Sequence, residues 1–71
     1  MPTMPIRVIV NDDPHDLPAP ASVASLLDHL DLGGQRIAVE LNGEIVPRSR
    51  YAQTPLAEDD VLLIVRAIGG G

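Results

Sequence analysis

Seventy-one residues with ten acidic and five basic side chains give a formal net charge of −5, and the chain has neither lysine nor cysteine. That length supports one domain, which buries only about 60% of the surface its unfolded chain exposes. Without thiols there is no disulfide framework, thiolate metal site or persulfide-bearing side chain, and the acidic balance argues against nucleic acid or an anionic membrane as partner.

In chain order, Pro5–Asn11 alternates Ile6, Val8 and Val10 with Arg7 and Ile9, the period of a strand. "DDPH" supplies turn chemistry through Asp12, Asp13 and Pro14, and "HDLP" reads as a short returning strand. Ser22 is an N-cap, and Val23, Leu26, Leu27 and Leu30 form one apolar stripe of an amphipathic helix. Asp28, Asp31 and His29 fall on its wet side. Gly33 and Gly34 are the expected helix stop, one of them left-handed.

Ile37, Val39 and Leu41 then alternate with Ala38 and Glu40 before Asn42-Gly43, the strongest hairpin signal in the chain. Ile45 and Val46 begin the return, and Pro47 halts it or marks an edge strand. A polar stretch holds one short helical turn around Tyr51. "VLLIVRAI" is the last strand, long and apolar enough to sit centrally beside the first. Strand, strand, helix, strand, short strand, loop, strand is the order of the β-grasp. The predicted class is α+β: a mixed sheet of four to five strands, with one main helix packed across one face. Residues 1–68 make the domain and 69–71 a flexible glycine tail. With no Phe or Trp, the core falls to Val, Ile, Leu and Ala.

Catalysis within the chain is not expected. There is no cysteine or lysine nucleophile, no phosphate-binding glycine loop and no glycine-flanked serine elbow. The acidic residues sit in turns and hairpins, and a pocket of ~300 Å³ is hard to enclose in so small a domain. His15 and His29 have no third ligand at metal spacing, so no metal is predicted. No apolar run reaches the ~18 residues of a membrane span and no signal-peptide pattern opens the chain, which places the protein in the cytoplasm.

The closing "IGGG" is the chemical feature that remains. Without Cβ atoms, Gly69–Gly71 form the thinnest peptide available and reach ~11 Å past the last strand. Such a tail threads a narrow channel and presents a carboxylate, inert until activated, for example as an acyl-adenylate. The chain would then supply a handle and a recognition surface while other proteins supply catalysis. The acidic surface fits a positively charged face on such a protein.

"SVASLLDHLDL", "IAVELNGEIVPRSRYAQTPL" and "IVRAIGGG" together resemble the ThiS family, the sulfur carriers of thiamin biosynthesis, from Ile6 to Gly71. The middle stretch, with Tyr51, is more similar to that family than to the related molybdopterin carriers (MoaD). The resemblance implies that an ATP-dependent, ThiF-type enzyme adenylates Gly71. Sulfur from a cysteine desulfurase or other donor converts it to a thiocarboxylate, and thiazole synthase (ThiG) accepts the sulfur. Gly70, Gly69 and Ile68 would thread the partner sites. ATP belongs to the activating partner, with no cofactor bound by the chain, which is expected to be monomeric when free.

Two departures from the family pattern stand out. The turn before the last strand reads Glu58-Asp59-Asp60 where Asp-Gly-Asp is common, so Asp59 must accept a conformation glycine takes easily. Met4 is an alternative start. In the last strand, Val61, Leu63 and Val65 alternate with Leu62 and Ile64; the second pair is the candidate partner-docking patch if the helix leaves it bare. The alternatives are a carrier serving molybdopterin or tRNA thiolation, a ubiquitin-like conjugated modifier, and an interaction module with an idle tail.

Overall fold

A computed structural model describes residues 4–66. The elements are β1 (Pro5–Val10), β2 (Asp13–Pro18), β3 (Ala21–Ser22), α1 (Val23–His29), β4 (Ile37–Leu41), β5 (Glu44–Val46), a 3-10 turn over Arg48–Gln53, β6 (Pro55–Leu56) and β7 (Val61–Arg66). Five strands form one mixed sheet in the order β2-β1-β7-β4-β5. The last strand lies at its centre, parallel to β1 and antiparallel to β4. This is the expected β-grasp sheet. β3 and β6 add a two-residue antiparallel ladder, Ala21 to Leu56 and Ser22 to Pro55. Runs that short carry no periodicity from which to predict them.

Both hairpin turns of the main sheet are two residues long, with φ positive at each. Asn42 (φ 50°) and Gly43 (φ 87°) occupy the expected one, and their mirror-image turn matches the twist of the flanking strands. The first turn is not the Asp12-Asp13-Pro14 loop expected from composition. Asn11 (φ 49°) and Asp12 (φ 72°) make it, while Asp13 and Pro14 already pair with Val10 and Ile9 in β2. Asn and Asp tolerate the left-handed region, and an outermost strand accommodates proline.

Ser22 caps α1 as anticipated. Its hydroxyl accepts from the Ser25 N–H at 3.1 Å, and the Ser25 hydroxyl accepts from the Ser22 N–H at 2.8 Å, which satisfies two otherwise orphaned donors. The other end departs from expectation. The helix stops at His29, short of Gly33, and Asp31 (φ 60°) is the left-handed residue that closes it, while Gly34 (φ 84°) has the positive φ expected of one of the two glycines. The Leu32 N–H donates to the Leu27 carbonyl at 2.7 Å and the Asp31 N–H to that of Asp28 at 3.1 Å. This paired closure turns Leu32 back onto the core, where it packs at the margin.

The core lies between α1 and one face of the sheet. Val23, Leu26 and Leu27 of the helix meet Val8, Val10, Leu17, Val39, Val46, Leu62 and Ile64 of the strands, with Ala21 and Leu56 closing one end. Every member is aliphatic, and among the described residues no polar side chain is buried with it. At about 1.5–3 kcal/mol for each fully buried Val or Leu, these side chains are the main favourable contribution to folding. Tyr51 is half-buried at the margin, its hydroxyl donating to the Ile37 carbonyl at 3.4 Å. It braces the start of β4.

The helix terminus generates one prediction. Asp31→Gly removes left-handed strain of about 1–2 kcal/mol but adds unfolded-state entropy of about 0.4–1 kcal/mol. The variant is expected to be more stable by roughly 0.5 kcal/mol in urea unfolding. A loss of stability would show that the Asp31 side chain favours the turn.

Candidate functional site

β7 leads in sequence to Ile68 and Gly69–Gly71, the predicted sulfur-carrying end, which lie outside the described residues. What the fold defines is how the strand before them is held and what it displays. On the β1 side the ladder begins where the Asp59 N–H donates to the Arg7 carbonyl at 2.7 Å and the Ile9 N–H to that of Asp60 at 2.8 Å. Asp59 has φ 71°, the left-handed conformation that its place in the turn demanded. The Asn11 N–H then reaches the Leu62 carbonyl at 3.0 Å.

There β1 ends, yet the hydrogen bonding continues through a side chain. Asn11 Oδ1 accepts from the Ile64 N–H at 2.7 Å, and Asn11 Nδ2 donates to the Ile64 carbonyl at 3.0 Å. A primary amide has the same donor and acceptor pair as a peptide group, so Asn11 adds one more rung. Asn42 does the corresponding work at the opposite end. Its Oδ1 accepts from the Val61 N–H at 3.0 Å, its backbone N–H donates to the Val61 carbonyl at 2.7 Å, and its Nδ2 donates to Asp60 Oδ1 at 3.1 Å. Both asparagines have positive φ in tight turns, which aims their amides across at β7.

The two faces of β7 are the reverse of the proposed docking assignment. Leu62 and Ile64, the candidate patch, are 1% and 9% exposed and belong to the core under α1. Val61, Leu63 and Val65 are the bare set, at 51%, 46% and 52%. Parity explains the correction: Leu62 and Ile64 share a face with Val39, which pairs with Ile64 and is fully buried beneath the helix. On the open face Val61 stands beside Ile9, Val65 opposite Ala38, and Leu63 opposite Glu40, which in turn faces Ile45. Ile45 is 73% exposed. These side chains leave an apolar surface beside the strand that leads to the glycines.

Elsewhere the surface is less informative. A groove of about 460 Å³ runs along Asn11, Asp13, His15, Leu32, Ile64 and Arg66, and another of about 480 Å³ lies under Leu41, Ile45 and Arg50. Both are open surface grooves and not enclosed pockets. Among the described residues no three His, Asp or Glu side chains converge as a metal site requires, and no helix is long and apolar enough to cross a membrane. Arg7 pairs with Asp16 at 3.1 Å across β1 and β2. That hydrogen bond and the carboxylate charge raise the arginine pKa, but an exposed pair contributes little to stability.

A five-stranded β-grasp sheet with one main helix across one face, and a central last strand followed by glycines, defines a ubiquitin-like protein. The ThiS family model matches residues 5–71, and the chain belongs to that family, the sulfur carriers of thiamin biosynthesis. It is 32% identical to the sulfur carrier protein ThiS of Escherichia coli over 66 residues, 93% of this chain and 100% of that one. It is also 39% identical to a thiazole synthase of Paramagnetospirillum magneticum, over 93% of this chain but only 20% of the length of that protein. The crystal structure of the thiamine biosynthesis protein ThiS from Geobacter metallireducens superposes with a TM-score of 0.78, at 28% identity, covering 93% of this chain and 100% of that one.

Two substitutions check the face assignment. Leu62→Asp places a charge in the core and is expected to abolish cooperative folding, whereas Leu63→Asp keeps the wild-type circular dichroism and a stability within about 1 kcal/mol. Asn11→Ala strands the Ile64 N–H and carbonyl and is expected to cost about 1–3 kcal/mol. Faster amide hydrogen exchange concentrated at Ile64 would locate that loss.

Proposed function

We propose that the chain carries sulfur as a thiocarboxylate on Gly71. A ThiF-type enzyme attacks ATP with the Gly71 carboxylate, releasing pyrophosphate and leaving an acyl-adenylate. A desulfurase persulfide then adds to the activated carbonyl and expels AMP, and a second thiol of the partner cleaves the resulting acyl disulfide, forming a disulfide and releasing the thiocarboxylate; a donor of sulfide itself would give the thiocarboxylate directly. Thiazole synthase of the ThiG type accepts the sulfur from the resulting thiocarboxylate. Gly70, Gly69 and Ile68 thread these active sites, where any Cβ on the glycines would widen the channel required. The chain is a co-substrate: it brings the acyl group and a surface, while ATP and the catalytic residues belong to its partners.

Membership of the sulfur-carrier family is the observation that carries this reading. The bare face of β7 supports it, because Val61, Leu63 and Val65 give an activating enzyme a hold on the strand that delivers the tail. The similarity to one fifth of a thiazole synthase favours thiazole formation as the destination of the sulfur.

The test is intact mass spectrometry after incubation with ATP, the adenylating enzyme and a sulfur donor. Replacement of one oxygen by sulfur, localised to Gly71 by fragmentation, is the expected result, and deletion of Gly71 should abolish it without changing the fold. An unmodified Gly71 under these conditions would leave a binding module in place of a carrier. Transfer to a molybdopterin synthase in preference to thiazole synthase would reassign the pathway and keep the carrier chemistry.

A further inference from the structure

One side chain on the open sheet face differs from its neighbours. Glu40 stands directly opposite Leu63 on β7 and Ile45 on β5, and directly opposed side chains in a sheet lie within contact distance of one another. Val61 and Val65 flank Leu63 along β7, and Ala38 lies beside Val65. Glu40 is half-buried among them, and its carboxylate has no hydrogen bond or ion pair with any described residue. The other charged strand residues of this face, Arg7 and Asp16, compensate each other at 3.1 Å near its margin. The apolar surface therefore has one uncompensated negative charge near its middle.

A purely apolar occupant would strip water from that carboxylate and offer nothing in return, which is strongly unfavourable. An occupant that sets a cation against Glu40 gains a charge-assisted hydrogen bond in a dry surround, where such bonds are strongest. Arginine fits better than lysine, because its planar fork meets a carboxylate bidentately and its stem and flat faces pack against leucine and isoleucine. The same carboxylate thus attracts one kind of surface and rejects the rest.

We propose that Glu40 sets the specificity of the docking face, whose occupant is a protein surface of apolar side chains surrounding one guanidinium. This rests on the reading that the face receives the adenylating enzyme. The charge of −5 on the whole chain adds a long-range bias toward a basic partner; Glu40 fixes where the cation lands.

The experiment measures the KM of the full chain as co-substrate of its adenylating enzyme, by ATP–pyrophosphate exchange. The variants are Glu40→Gln, Glu40→Arg and Leu63→Asp, with thermal melts as a folding control. Glu40→Gln keeps the shape of the side chain and removes the charge. It is expected to raise KM about tenfold or more with kcat changed less than about twofold, and Glu40→Arg to raise KM about a hundredfold, since like charges then meet in the interface. Leu63→Asp should raise KM as well. Wild-type KM values for both Glu40 variants, with Leu63→Asp impaired, would overturn the role of Glu40 while keeping the docking face. A wild-type KM for Leu63→Asp too would remove the face as the docking surface and the proposal with it. Sedimentation of the chain alone gives the remaining outcome: a dimer dispersed by Leu63→Asp would assign the face to a second copy and overturn the proposal.

Discussion

The molecule depends on how β7 is held. It is the last strand in sequence and the middle strand in space, with a parallel neighbour on one side and an antiparallel neighbour on the other. A parallel neighbour must arrive by a long crossover, so β1 and β7 meet only after the helix, a hairpin and a polar loop have been placed. Their direct pairing is short, running over Ile9–Val61 and Val10–Leu62. Asn11 lengthens it by offering its side-chain amide to both backbone groups of Ile64. Asn42 pins the opposite end through Val61 and Asp60. The strand that leads to the tail is thus fixed at its first residue and again two residues before Arg66.

Holding β7 centrally also divides its side chains sharply. Leu62 and Ile64 enter the core against Val39 and the helix, and they contribute to stability. Val61, Leu63 and Val65 face outward with Ile45 and leave apolar area in water. A 71-residue chain has little stability to spare, since domains of this size are marginal, and exposed aliphatics contribute nothing to it. In the proposed function their use is recognition, because a rigid sheet presents them with little ordering to do on binding. The strand that displays this surface is also the strand that leads in sequence to the glycines, so the proposed recognition and delivery would share one rigid element.

For a carrier, this is an economical division of chemistry. The described domain has an all-aliphatic core and no buried polar side chain to perturb. Among the described residues none of its charged groups is buried. Activation of the carboxylate, as proposed, is left to partners that bind the face, and what the chain retains is selectivity about which partner that is. In the proposal above that selectivity rests on Glu40, between Leu63 and Ile45, and not on the acidic residues in turns.

Much of this was legible in the sequence, because much of it is local. Period-two alternation marked β1 and β4, a continuous aliphatic run marked β7, the serine at the start of an apolar stripe marked α1, and Asn42-Gly43 marked its hairpin. The turn before β7 required a left-handed residue, and Asp59 is one. The family, too, was readable from the middle stretch and the glycines. Tertiary structure alone decided the rest. Alternation separates Leu62 and Ile64 from Val61, Leu63 and Val65, but it does not say which set meets the helix; that follows from the register of β7 against β4. Likewise, an asparagine beside an aspartate reads as a turn wherever it occurs. That Asn11 completes a ladder with Ile64, 53 residues away, depends on strands that meet only in the folded sheet. Local chemistry determines which elements form, whereas long-range register determines which of their faces is left for a partner.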